Sequence, residues 1–310
     1  MDATDWSGVA ERARPLNCGQ GLSFQRKAAA LWTHLSEWRA MRVERMCATK
    51  YPIMLIHGIG YEDQPASRYW GRIPQRLEEG GAKVYFGGQD AFGTVAENAA
   101  RLKVSMERAI ADSGADKLNL IAHSKGGIEA RYLISVLEMA EKVVSLTTLA
   151  TPHRGIGSID LLRKRKAAAY QVLASVFNLM LMVDGRQQNF SLKPYEQLTA
   201  DYMEVFNQLV PDRKEVYYQS YAFDMRSAAS DPALGLFYKV VRKLEGQNDG
   251  LVSAASAKWG EFQGVYPQEG KYGISHPRIV DPQHRKRKGD NPDMAHFYQE
   301  IAARLKALGY

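Results

Sequence analysis

Ser124 stands in the stretch Ala122-His123-Ser124-Lys125-Gly126-Gly127, after the apolar run Leu118-Asn119-Leu120-Ile121 and before a helical pattern. A serine hydroxyl becomes a useful nucleophile only when it is held in place and a base can take its proton. A small-x-Ser-x-Gly turn between strand and helix does the holding. Its strained backbone projects the hydroxyl, and its small neighbours let strand and helix approach each other. The first amides of the helix face the negative charge that develops on an attacked carbonyl, which makes the Lys125 N–H one candidate oxyanion donor. The competing reading is a glycine-rich turn that only packs, and the flanking strand and helix argue against it.

A second donor is expected upstream. Pro52 opens the run Ile53-Met54-Leu55-Ile56, which ends abruptly at His57-Gly58-Ile59-Gly60. The amide of Ile59 is the candidate, and each such donor is worth about 3 kcal/mol to the transition state. His57 is read as a brace for this loop by hydrogen bonding rather than as the base.

A serine on such an elbow has its acid and then its histidine later in the chain. Asp249, in Gly246-Gln247-Asn248-Asp249-Gly250-Leu251-Val252, is the candidate acid; the alternative is an Asn-Asp-Gly turn with a capping carboxylate. His276, in Gly273-Ile274-Ser275-His276-Pro277, is the candidate base. His153 lies too near the elbow, and His284 and His296 read as surface residues. In this scheme His276 takes the Ser124 proton, Asp249 fixes its tautomer, and water then hydrolyses an acyl-enzyme.

The elements that must position these groups alternate. Helix is expected at 69–79, strand at 83–86, helix at 95–112, strand at 117–122, helix at 127–141 and strand at 143–149. That rhythm means an α/β fold with a mostly parallel, doubly wound sheet. It breaks after Thr151-Pro152: residues 155–215 read as a helical insertion with an apolar segment from Val172 to Val183. Strand character returns at 216–221, and a helix closes the chain from about Asp293 to Leu308. Residues 1–49 read as an extension with one helix from Ser23 to Val43, ahead of a catalytic domain over 50–310.

The 310 residues carry a formal charge of +7, concentrated in the runs Arg163 to Lys166 and Arg285 to Lys288. Such short runs are read as solvated loops, so no nucleic-acid partner is expected. Cys18 and Cys47 are too few for a disulfide framework and read as free thiols. No run of about 20 apolar residues suggests a transmembrane segment. No signal peptide is visible, so the chain as written reads as cytoplasmic, or as secreted had a signal been removed.

These blocks together resemble the bacterial triacylglycerol lipases of the pseudomonad and thermophilic bacillus types, enzymes of the α/β-hydrolase fold. Pro52 to Gly58 is similar to their oxyanion strand, Ala122 to Gly127 to their elbow, Thr151 to Gly155 to the segment after the next strand, and Asn248 to Val252 to their acid loop. His276, Asp281-Pro282 and Phe297-Tyr298 are similar to the bacillus-type histidine loop and last helix. The resemblance spans about residues 51–310. It implies a carboxylic ester hydrolase, a lipase or esterase acting on acylglycerols at a lipid–water interface; an acyltransferase or a polyester depolymerase is the alternative on the same fold. A binding protein with a dead site is disfavoured by the full set of candidates. The insertion falls where these lipases have a lid, with a fixed cap as the other reading.

No cofactor is required for the chemistry. The resemblance allows a structural calcium at Asp231 and Asp281, against the reading of two capping or surface aspartates. No zinc cluster is found between Tyr85 and Arg101. Three departures stand out: Lys125 replaces the usual glutamine after the nucleophile, Arg278 replaces a glutamate, and residues 284–290 form an insert.

Overall fold

The computed structural model describes residues 45–60, 69–157, 193–281 and 292–310. The expected helix at 23–43, the apolar segment 172–183, both basic runs and His284 lie outside these residues.

Three short apolar runs build the centre of the sheet: β1 (Ile53–Ile56), β3 (Leu118–His123) and β4 (Val143–Leu149). Every residue of β1 and β3 is buried, as expected of parallel strands covered on both faces. The other strands are β2 (Val84–Phe86), β5 (Tyr217–Phe223) and β6 (Glu261–Tyr266). Among the described residues the order is β2-β1-β3-β4-β5-β6, with every neighbouring pair parallel. Ile56 is in register with Ala122, and His123 with Leu149. The loops leaving β1, β3 and β4 therefore emerge side by side at the carboxyl edge, where open α/β sheets place their sites.

Helices α1 (Ile73–Glu79), α2 (Val95–Ser113) and α3 (Lys125–Ser135) occupy the first half of the chain. Thr94 and Glu97 form a capping box at the start of α2, and Gly114 in the left-handed region ends it. After the insertion come α4 (Lys193–Glu196), α5 (Ala200–Leu209), α6 (Gly235–Glu245), α7 (Ala254–Ala257) and the closing α8 (Met294–Ala307). Helices α1 and α8 contribute Ile73, Leu77, Tyr298 and Ile301 to the core on one face. Helices α2 and α3 contribute Leu102, Met106, Leu133 and Ile134 on the other. A third cluster joins α5 and α6 through Met203, Phe206 and Tyr238, together with Leu234 and Leu251.

The strands expected before the insertion are present, with no end shifted by more than one residue. Helix α3 begins at Lys125 and stops at Ser135, short of the expected 141, and a single 3-10 turn at Ala140–Lys142 leads into β4. Helix α6 and strand β6 are elements that sequence reasoning missed. Strand β6 is the sheet's edge, has no buried residue and carries Gly264 at φ 107°. It therefore lacks both the apolar run and the clean alternation that mark a strand. No described helix is long and apolar enough to cross a membrane.

Candidate active site

Ser124 follows β3 directly and precedes the first residue of α3, with φ 55° and ψ −131°. A left-handed φ is costly for a side-chain-bearing residue and persists only where its surroundings impose it. Here they do: the Ser124 N–H donates to Leu149 O at 2.9 Å, and its carbonyl accepts from Gly127 N at 3.1 Å and Thr151 Oγ1 at 2.8 Å. A Cβ at Gly126 would lie 2.4 Å from the His57 carbonyl oxygen, and one at Gly127 would lie 2.2 Å from Thr151 Oγ1. Both glycines are thus required by close backbone and side-chain approach.

The structure brings Ser124, His276 and Asp249 together. Ser124 Oγ is 2.9 Å from His276 Nε2, and His276 Nδ1 is 2.7 Å from Asp249 Oδ2. Asp249 is fully buried, while His276 keeps 8 % exposure and Ser124 6 %. Asp249 also caps its own turn. Its Oδ1 caps the turn by accepting from Leu251 N at 3.0 Å and Val252 N at 2.8 Å, which leaves Oδ2 for the imidazole. His276 is fixed from the same loop, since its N–H donates to Asp249 O at 2.9 Å. A neutral His276 carries its proton on Nδ1, facing the carboxylate, and offers the Nε2 lone pair to Ser124.

His57 braces the loop after β1. Its Nδ1–H donates to Gly58 O at 2.7 Å, and that carbonyl belongs to the same peptide plane as the Ile59 N–H. The Gly58 N–H donates to Tyr69 Oη at 2.8 Å, and the Tyr69 hydroxyl is hydrogen-bonded to His123 Nδ1 at 2.6 Å. The peptide planes on both sides of Gly58 are therefore fixed by side chains. His123 is neutral in this arrangement: burial, reinforced by the neighbouring His276, holds its pKa well below 6.5. Its ring centroid lies 4.6 Å from that of His276.

The remaining histidines lie elsewhere. His153 is buried, accepts or donates at Thr148 Oγ1 over 3.0 Å, and stacks on Trp259 with centroids 5.0 Å apart. Burial and the nearby Arg131 hold its pKa well below 6.5. The Arg131 guanidinium covers the same indole at 3.8 Å, so His153 belongs to the packing behind the elbow. His296 is exposed on α8 beside Glu300.

Asp231 and Asp281 do not fit a shared calcium. Both Asp281 oxygens face Arg72, at 2.8 Å from Nε to Oδ2 and 3.1 Å from Nη2 to Oδ1, so a cation already occupies that carboxylate. Asp231 instead accepts from Ser275 Oγ at 2.7 Å and Ala233 N at 3.2 Å. Among the described residues no group of three or more His, Cys, Asp or Glu side chains is placed to hold a metal.

Sequence reasoning took Lys125 for its backbone alone. Its side chain is buried and paired with Glu129, which also accepts from Gln89 Nε2 and Asn98 Nδ2. The one available signal was the Lys125–Glu129 spacing of four on a helix, a pattern more common on exposed faces.

The chain is similar to known ester hydrolases. The family model of palmitoyl protein thioesterases matches residues 52–220, more than half of the chain. A triacylglycerol lipase of Pseudomonas fragi is 28% identical over 84% of this chain and 98% of its own length. Triacylglycerol lipase 2 of Saccharomyces cerevisiae is 27% identical over 78% of this chain and 74% of that protein. A triacylglycerol lipase of Burkholderia plantarii is 36% identical, over only 40% of this chain and 36% of that protein. Among solved structures, lipase 1 from Pelosinus fermentans aligns with a TM-score of 0.62 at 17% identity, covering 83% of this chain and 99% of that one. Mature Bacillus licheniformis lipase BlEst2 aligns at 0.61 and 21%, covering 76% and 88%. Both likenesses establish the α/β-hydrolase fold. The chain belongs to the palmitoyl protein thioesterase family and is a serine ester hydrolase.

Proposed function

We propose that this enzyme hydrolyses fatty acyl esters, acylglycerols among them, through a Ser124–His276–Asp249 triad and an acyl-enzyme. The observation that carries the reading is the continuous line of contacts from Ser124 Oγ to His276 Nε2 at 2.9 Å and from His276 Nδ1 to Asp249 Oδ2 at 2.7 Å. Ser124 Oγ attacks the ester carbonyl carbon while His276 Nε2 takes its proton. The resulting oxyanion is met by the amides of Ile59 and Lys125. Collapse breaks the bond to the alcohol, which leaves with the proton from His276. Water then attacks the acyl-serine, giving its proton to His276, and the acid departs as Ser124 regains its own. Asp249 holds the imidazole in the tautomer that accepts at Nε2 and stabilises the imidazolium.

The family match favours a second reading of the leaving group, a thiolate instead of an alkoxide, with the acyl half of the reaction unchanged. The test is a substrate series: p-nitrophenyl esters from acetate to palmitate, emulsified triolein, and a palmitoyl thioester. Preference for long acyl esters supports the first reading, and preference for the thioester at equal chain length supports the second. Transfer to added alcohol in place of hydrolysis would make the enzyme an acyltransferase. Retention of full activity by Ser124→Ala would remove the triad altogether.

A further inference from the structure

Glu129 is 2 % exposed, one turn beyond Lys125 on α3, and the chemistry above gives it no part. A buried carboxylate is tolerated only when its lone pairs are met by donors or a cation. Here Oε1 is met by Lys125 Nζ and by Asn98 Nδ2 at 2.8 Å, and Oε2 by Gln89 Nε2 at 2.6 Å. Each of these donors holds something else as well. Gln89 Nε2 gives its second hydrogen to the His57 carbonyl at 3.1 Å. Lys125 Nζ donates to Gly93 O at 2.8 Å, and Asn98 Nδ2 to Asp90 O at 2.9 Å.

All three lines converge on residues 87–94, the loop after β2, which lies against the loop carrying Ile59. Besides the Gln89 contact, the Gly60 N–H donates to Ala91 O at 2.7 Å, and His57 Nε2 lies 3.4 Å from Gln89 O. The head of α3 and the loop after β1 are thus clamped to one intermediate loop, and Glu129 is the hub of the clamp. The two candidate oxyanion amides, Lys125 and Ile59, sit on the two clamped parts.

We propose that Glu129, acting through Gln89 towards His57 and through Lys125 on its own helix, is a positioning residue that keeps the two oxyanion amides at a fixed separation. The inference rests on the serine-hydrolase reading given above. A donor pair is effective only while both amides point at the place the oxyanion will occupy, so loosening one side lowers turnover more than ground-state binding. The buried Lys125–Glu129 pair is an internal strut beside the nucleophile.

The test is Gln89→Met, which removes the donor to the His57 carbonyl and to Glu129 Oε2 and keeps the Lys125–Glu129 ion pair. The expected result, with a soluble p-nitrophenyl ester, is kcat lowered about 10-fold and KM within about twofold of wild type. A trifluoromethyl ketone labelled with ¹³C at its carbonyl forms a hemiketal with Ser124, and its carbon resonance reports ionisation of the oxyanion. That titration moves to higher pH in Gln89→Met. The paired change Lys125→Met with Glu129→Leu, which removes both buried charges together, is expected to lower kcat by at least as much. Wild-type kcat, or an unmoved hemiketal titration, in whichever of these variants keeps its near-ultraviolet circular dichroism overturns the proposal. Ser124→Ala separates the two layers: if it is inactive while Gln89→Met behaves as wild type, only the clamp fails, and if it is active, the triad itself fails.

Discussion

Gly126 lies so close to the His57 carbonyl that a methyl group on it would sit 2.4 Å from that oxygen. The start of α3 and the loop after β1 therefore meet backbone to backbone, and the contact cannot relax by turning a side chain. Ile56 O would be 2.9 Å away on the same side. Gly126→Ala is expected to cost about 1–3 kcal/mol of stability from overpacking. It should also displace the Ile59 amide, so that residual activity falls further than the loss of folded protein explains. Urea unfolding together with active-site titration separates the two effects.

Acid stability follows from His123 and His153. Both are neutral in the fold, with pKa values held well below 6.5, mainly by burial. Below pH 6.5 the unfolded chain takes up protons that the folded chain does not, so stability is full above that value and falls as the pH drops towards the folded pKa values. The slope is up to about 1.4 kcal/mol per pH unit for each histidine. Unfolding midpoints in urea, compared across this range, should decline on acidification, and His153→Gln should make the decline shallower. An identical acid slope in that variant would contradict the assignment.

The Arg72–Asp281 pair joins the entry to α1 with the loop that carries His276, and Arg72 also reaches Asp293 at 2.9 Å ahead of α8. Asp281 is nearly buried, so removing the guanidinium takes a charged donor from each of its oxygens. Arg72→Leu is expected to destabilise the protein by about 2–3 kcal/mol. With this cation built into the chain, incubation with EDTA should leave both the melting temperature and the rate of ester hydrolysis unchanged. A fall in either that added calcium reverses would show that a metal serves here after all.

The parts legible in the sequence were those whose signal is local. An apolar run such as Ile53 to Ile56 is well suited to a strand covered on both faces, and the Ala122 to Gly127 turn combines strain, small neighbours and a nucleophile within six residues. The order serine, acid, histidine then narrowed the later candidates to Asp249 and His276, which the fold places beside Ser124. What escaped was whatever depends on distant partners. Asp281 reads either as a calcium ligand or as a capping or surface aspartate, and the Arg72 that faces it lies 209 residues earlier. Glu129 reads as an ordinary helical residue because Gln89 and Asn98 come from another part of the chain. Helix α6 and strand β6 follow the insertion, where the alternating rhythm that identified earlier elements had already been lost.

The central claim is that Ser124 is the nucleophile that His276 and Asp249 activate. The most direct measurement is intact mass after treatment with a fluorophosphonate probe, with peptide mapping of the adduct, in wild type, Ser124→Ala, His276→Ala and Asp249→Ala. The account predicts one adduct on Ser124 in the wild type, none in Ser124→Ala, and labelling slowed at least about 100-fold in the other two folded variants. Stoichiometric labelling at another residue, or wild-type labelling and ester turnover in Ser124→Ala, would contradict it.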